Sequence, residues 1–168
     1  MPQPNSVHYR YYIKRLNSQE LGYRKGILST GAYWYVSKKA AAHFFPRLDK
    51  LIHNDSSNIH LFIYNSRTRA NITYVYHNDR HSVRFGTRDE YRIYLNRKVS
   101  PSKFTYGPGD ILIFNRFGSK DYRLFHISTI DPLYKKINIF LEDLGGHHSH
   151  FLMDRLPDFM ISHLDWPD

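Results

Sequence analysis

Short runs in which apolar and polar residues alternate, each closed by turn-forming residues, most restrict what this chain can fold into. A period of two puts one side of a run on a core and the other in solvent, as a half-buried strand requires. "VHYRYYIKRL" (7–16), "AYWYV" (32–36), "NIHLFIYN" (58–65), "ANITYVYH" (70–77) and "KKINIFL" (135–141) are predicted strands. The runs flanking "SRTR" and "FGSKD" are predicted hairpins, and "YGPGD" (106–110) is turn chemistry. "SKKAAAHFFP" is the best helix, with Ser37 as N-cap and Pro46 beyond its end. A short helix is expected near 149–155, interrupted at Pro157. No long helices separate the strands, which argues against a parallel α/β sheet. The expected fold is mainly β (α+β), a closed or half-open barrel of about seven strands with one or two short helices.

The chain has 168 residues, enough for one domain with one sizeable core. Its 14 Tyr and 11 Phe suit half-buried pleated surfaces. Lys and Arg outnumber Asp and Glu by 24 to 15, so a polyanion is the natural partner, although charge alone does not establish one. With no cysteine, a disulfide framework and a thiolate zinc site are both excluded. "MPQPNSVHYR" has no apolar signal core, and no run approaches the roughly 18 apolar residues of a membrane helix. A soluble intracellular (cytoplasmic) protein is therefore expected.

Two loops stand out. "NSQELGYRKGILSTG" (17–31) has no strong period and a basic cluster at Arg24 and Lys25, and "NDRHSVRFG" (78–86) is a second basic loop. The second leads into "RFGTRDEYRIYLNRK" (84–98), where Tyr91, Ile93 and Leu95 can face a core while Arg88, Glu90 and Arg92 face outward in one row. Arg can donate two hydrogen bonds to guanine O6 and N7, and Glu can accept one from cytosine N4, so such a row can read a major groove. The alternative is an exposed strand face whose charges pair with one another, worth about 0–1 kcal/mol per pair. Arg80, His81 and Arg84 before the row, and Arg97 and Lys98 after it, form a strip suited to phosphates.

Other constellations are weaker. "HHSH" (147–150) lacks acidic or Cys partners at zinc spacing and reads as solvated tail histidines, so no metal site is expected. "PDFMISHLD" has a Pro-Asp pair but no Glu-x-Lys after it, so no catalytic residues are assigned. Trp34 and most of the strand tyrosines are read as core, with base stacking as the rival role.

"YIKRLNSQELG" (12–22), "YWYVSKKAAAHFFP" (33–46) and "YHNDRHSVRFGTRDEYR" (76–92) resemble the N-terminal effector-DNA-binding domain of EcoRII-type (type IIE) restriction endonucleases, a pseudobarrel related to the plant B-three domain. The likeness spans residues 11 to 98. It implies a B-three-like DNA-binding pseudobarrel over 1–145, with 146–168 as a closing segment or a linker towards a separate nuclease domain. It also implies two arms in the major groove, at 22–35 and 80–92. Arg88, Glu90 and Arg92 fall on base-reading positions of the second arm and Tyr35 on a contact position of the first. Tyr23, Arg24, Lys25 and Thr30 follow approximately, because the first arm is longer here and lacks the family's histidine. Gly86 and Tyr91 stand where the family carries basic residues. The implied function is sequence-specific binding of double-stranded DNA by a monomer, at a CCWGG-like site. No cofactor is implied for this domain, and magnesium would serve the nuclease domain. The alternatives are a single-strand or RNA-binding module and a complete small metal-dependent nuclease.

Overall fold

The computed structural model describes residues 8–21, 23–24, 27–28, 33–102, 104–145 and 148–164. Its elements in chain order are β1 (Tyr11–Arg15), β2 (Tyr23–Arg24), β3 (Ile27–Leu28), β4 (Tyr33–Val36), α1 (Lys38–His43), β5 (Ser56–Ile63), β6 (Thr68–His77), α2 (Asp79–Ser82), β7 (Glu90–Tyr94), β8 (Ile111–Arg116), β9 (Asp121–Ile127), α3 (Tyr134–Gly145), β10 (His150–Met153) and α4 (Asp158–Leu164). Eight strands form one sheet in the order β10-β1-β8-β9-β5-β6-β7-β4, and β2 pairs with β3 in a separate small hairpin. Every pairing is antiparallel except β5 with β9. The sheet curls into a nearly closed, mainly β barrel, as the alternation predicts.

Two apolar layers follow from that curl. Tyr12, Trp34, Phe44, Ile59, Tyr74, Ile93, Phe114 and Tyr122 fill the inside of the barrel. Tyr11, Ile13, Ile111, Ile113 and Phe125 point the other way and are covered by Leu133, Ile137 and Leu141 together with Leu156, Met160 and Leu164 of the C-terminal segment. Strand β1 is thus buried on both sides, which is why "YYI" is apolar without alternation. Helix α1 starts as expected: Ser37 has extended backbone and its hydroxyl accepts from the Ala40 N–H at 3.1 Å. Among the described residues no helix is long and apolar enough to cross a membrane.

Four local expectations are corrected. Residues 135–141 are not a strand but the middle of α3. Leu133, Ile137 and Leu141 recur every fourth residue and are all buried, whereas Ile139, which a strand would place beside them, is 49% exposed. The segment near 149–155 holds β10 rather than a helix, and the helix comes after Pro157, as α4. The stretch 17–31 contains a turn of 3-10 helix at Gln19–Leu21 and the β2–β3 hairpin. The basic loop 78–86 contains the single turn α2.

Candidate functional site

Strand β4 is the last strand of the sheet and pairs with β7, setting Tyr33 opposite Tyr94, Trp34 opposite Ile93 and Tyr35 opposite Arg92. Trp34 and Ile93 point into the core, so Tyr33 and Tyr35 share the other face with Glu90, Arg92 and Tyr94. The Arg92 guanidinium lies 4.0 Å from the Tyr33 ring centre and 5.5 Å from that of Tyr35. A cation over aromatic faces is held electrostatically and stays planar to its surroundings. Glu90 accepts a charge-assisted hydrogen bond from Arg92 Nη2, and Arg92 Nε has no hydrogen-bond partner among the described residues. The Tyr33 and Tyr35 hydroxyls are 3.1 Å apart, and the Tyr35 phenol is pushed up to about 12 by burial, by that contact and by Glu90. On the same face, opposite Glu90 in the β6–β7 register, His77 is pushed below the usual histidine range by burial and by the charges of Arg92 and Arg88. Its Nδ1–H donates to Asn54 Oδ1 at 3.0 Å and its Nε2 accepts from the Tyr94 hydroxyl at 2.6 Å.

The connection from α2 to β7 is fastened by two carboxylates. Asp79 accepts from Arg88 Nε at 2.6 Å, and this hydrogen bond keeps its carboxyl below the usual range. Asp89 accepts from Lys38 Nζ at 2.6 Å and from the Tyr76 hydroxyl at 2.7 Å, with Arg80 at 3.5 Å and His81 at 3.8 Å. Lys38 and Tyr76 hold the Asp89 carboxyl low in turn. Gly86 is required because a Cβ there would stand 2.1 Å from the Asp79 carbonyl oxygen. Any side chain at this position would displace the turn.

Beneath β4 is a buried ion pair. Lys14 and Glu20 are each 1% exposed and hydrogen-bond each other. Lys14 Nζ also donates to the Tyr35 carbonyl at 2.7 Å, and Glu20 accepts from the Tyr35 N–H at 2.8 Å and from the Asn17 N–H at 2.9 Å. Burial pushes the Lys14 ammonium down, against the opposing pull of Glu20. At the free edge of β4 the backbone N–H and C=O of Tyr35 are thus satisfied by side chains from the "YIKRLNSQEL" segment. Nearby, the Tyr12 hydroxyl donates to His150 Nδ1. His150 is therefore no solvated tail histidine; burial and the Lys14 charge lower it to about 4. His148 is exposed, and His147 lies outside the described residues.

The expected residues are brought together only in part. Glu90, Arg92 and Tyr35 meet on one face, but Arg88 precedes β7 and turns towards Asp79, so the three charged groups are not one strand row. Arg80, His81 and Arg84 are on α2 and the turn after it. Arg97 and Lys98 are exposed beyond the far end of β7, where Asn96 Oδ1 accepts from the Lys98 N–H at 3.0 Å. Tyr23 and Arg24 are described only as backbone of β2, and Lys25 and Thr30 lie outside the described residues. Tyr33, Lys38, Asp79, Asp89 and the Lys14–Glu20 pair were not anticipated. A lysine within an apolar strand and the Asn17-x-x-Glu20 spacing were the available signals for that pair. Asn17 Oδ1 does accept from the Glu20 N–H at 3.1 Å, as in a capping box. Among the described residues, no three His, Cys, Asp or Glu side chains are grouped so as to hold a metal ion.

No family model and no curated protein matches the chain. Among solved structures it is similar to the N-terminal domain of Helicobacter pylori LlaJI.R1, with a TM-score of 0.55 and 16% identity over 88% of this chain and 99% of that one. The fold is a B-three-like pseudobarrel. The UbaLAI restriction endonuclease B3 domain, solved with cognate DNA, covers 85% of each chain at a TM-score of 0.46 and 18% identity. At these identities the likeness is one of fold.

Proposed function

We propose that this domain binds double-stranded DNA in a sequence-specific manner, as the recognition module of a type II restriction endonuclease whose cleavage is carried out by a separate magnesium-dependent nuclease domain. The observation that carries this reading is the cross-strand pair Tyr35–Arg92. Residues assigned to two different arms by the resemblance are direct neighbours in one register. Arg92 and Glu90 then serve as base readers, Arg to guanine and Glu to cytosine, with Tyr35 holding the guanidinium plane. Arg88 is a further guanine reader once it leaves Asp79, Arg80, His81 and Arg84 attract phosphates beside these readers, and Arg97 and Lys98 reach a more distant stretch of backbone. The formal charge of +9 favours such a partner.

Selection of bound duplexes from a randomised pool, followed by competition among duplex, single strand and RNA of the selected sequence, tests the proposal. The selected duplex is expected to win, to resist salt better than random duplex, and to remain uncut by this chain in magnesium. Equal binding of every duplex across a salt series removes base reading. Preference for single strand or RNA, or reproducible cleavage by the pure chain, replaces it with another activity.

A further inference from the structure

Of the three described non-glycine residues with positive φ, Asn54 and Arg67 carry polar side chains, whereas Phe85, at φ 64°, is bulky and aromatic. Positive φ is a genuine outlier for a residue of that size and costs free energy. Burial gives the ring almost nothing in return, since Phe85 is 86% exposed. Its position is nevertheless tightly fixed. The Gly86 N–H donates to the Val83 carbonyl at 3.1 Å, the Val83 N–H to the Asp79 carbonyl at 3.0 Å, and the Arg80 N–H to the Arg88 carbonyl at 3.1 Å. Packing of Gly86 against Asp79 leaves the turn no room to shift. The Arg84 guanidinium lies 4.9 Å from the Phe85 ring centre, so the exposed ring carries a cation on one face. Arg80 and Arg88 are on the same connection. A rigid apolar tip set among cations is suited to a surface that is anionic at its rim and apolar at one point inside. The major groove of DNA is such a surface wherever a pyrimidine carries a 5-methyl group.

We propose that Phe85 is a specificity-determining residue that reads the 5-methyl group of a thymine in the major groove, while Arg84 stays on the adjacent phosphate. The inference rests on the duplex-binding reading and adds to it a contact with a different base and a different chemistry from the guanine and cytosine contacts of Arg92 and Glu90. It also accounts for the backbone strain, because the αL turn keeps the ring exposed and free for such a contact.

The test titrates wild type, Phe85→Asn and Phe85→Gly against the selected duplex and against versions in which each thymine in turn is replaced by deoxyuridine. Both substitutes tolerate positive φ, so the turn is kept and only the ring is lost. Wild type is expected to lose about fourfold at one position, the worth of burying one methyl group, and the variants nothing there. On the unmodified duplex the variants are expected to be weaker by a similar factor, and their thermal melting to equal or exceed that of wild type. Indifference of wild type to every replacement overturns the proposal, as does an equal loss in wild type and variants at every position. A clear fall in melting temperature would make Phe85 structural and overturn it too. Preference of wild type for the selected over random duplex is read separately: if it is missing, the DNA-binding reading fails with it, whereas its presence without methyl coupling sinks Phe85 alone.

Discussion

Two ion pairs flank strand β4, and their surroundings give them opposite uses. Lys14–Glu20 lies beneath the strand, 1% exposed on both sides, with its remaining hydrogen-bonding capacity taken up by the backbone of Tyr35 and Asn17. Glu90–Arg92 lies on the outer face, with side chains 28% and 16% exposed, and leaves Arg92 Nε unpaired among the described residues. The same chemistry fixes a strand in one case and remains open to exchange in the other. Desolvation makes the difference: a buried charge that loses its partner cannot be rescued by water, whereas a charge at the surface can trade its partner at little cost.

The largest expected effect therefore falls on the buried pair. Lys14→Met and Glu20→Leu should each cost about 3–5 kcal/mol in urea unfolding, because the remaining charge is stranded. Apolar replacement of both partners often restores stability elsewhere, but here it should not. The Tyr35 N–H and C=O would lose their acceptor and donor, at about 1–3 kcal/mol for each group left unsatisfied. A double variant as stable as wild type would show that β4 does not depend on the pair.

This contrast also marks what could be read from the residues alone. The β5–β6 and β8–β9 hairpins were legible because clear alternation is bracketed by turn chemistry, and the Glu90–Arg92 pair because neighbours two apart on a strand share a face. The Lys14–Glu20 pair was obscured, since a lysine beside Arg15 reads as solvent-facing until the fold closes over it. Arg88 looked like a member of the row, but β7 begins at Glu90 and Asp79 captures the side chain from another element. "KKINIFL" satisfies both a period of two and a spacing of four, and only burial by partners distant in sequence selects the helix.

On the outer face, stability and binding should separate. Arg92→Ala, and to a smaller extent Arg88→Ala, should cost about 1–3 kcal/mol on the selected duplex and much less on random duplex. Arg88 is ranked lower because it must first leave Asp79. Equal losses on all duplexes would return both residues to phosphate binding.

Next in size is a pH effect where β10 pairs with β1. His150 is lowered from 6.5 to about 4 by burial, so the unfolded chain binds its proton first as pH falls. Its contribution is complete above about 6.5, declines from there down to about 4, and adds to that of His77, which is shifted in the same direction. His150→Phe, which keeps the ring over Tyr12, should make urea midpoints fall less steeply across this window. An unchanged slope would put the proton elsewhere.

The smallest effect is the most discriminating, because it asks whether Glu90 reads a base or only holds Arg92. Removing a carboxylate beside DNA lowers repulsion and should strengthen binding to random duplex, whereas loss of its bond to cytosine should weaken discrimination at one G·C pair. Glu90→Ala is thus expected to narrow the gap between selected and random duplex from both sides, by about 1 kcal/mol in total. If Glu90 only restrains Arg92, freeing the guanidinium raises affinity for every duplex alike and the gap stays fixed. The Tyr33 and Tyr35 rings keep Arg92 in place when its carboxylate is gone. Titrating wild type and Glu90→Ala against the selected duplex, a single G·C to A·T variant and random duplex separates the two cases, and an unchanged ratio takes Glu90 off the recognition surface.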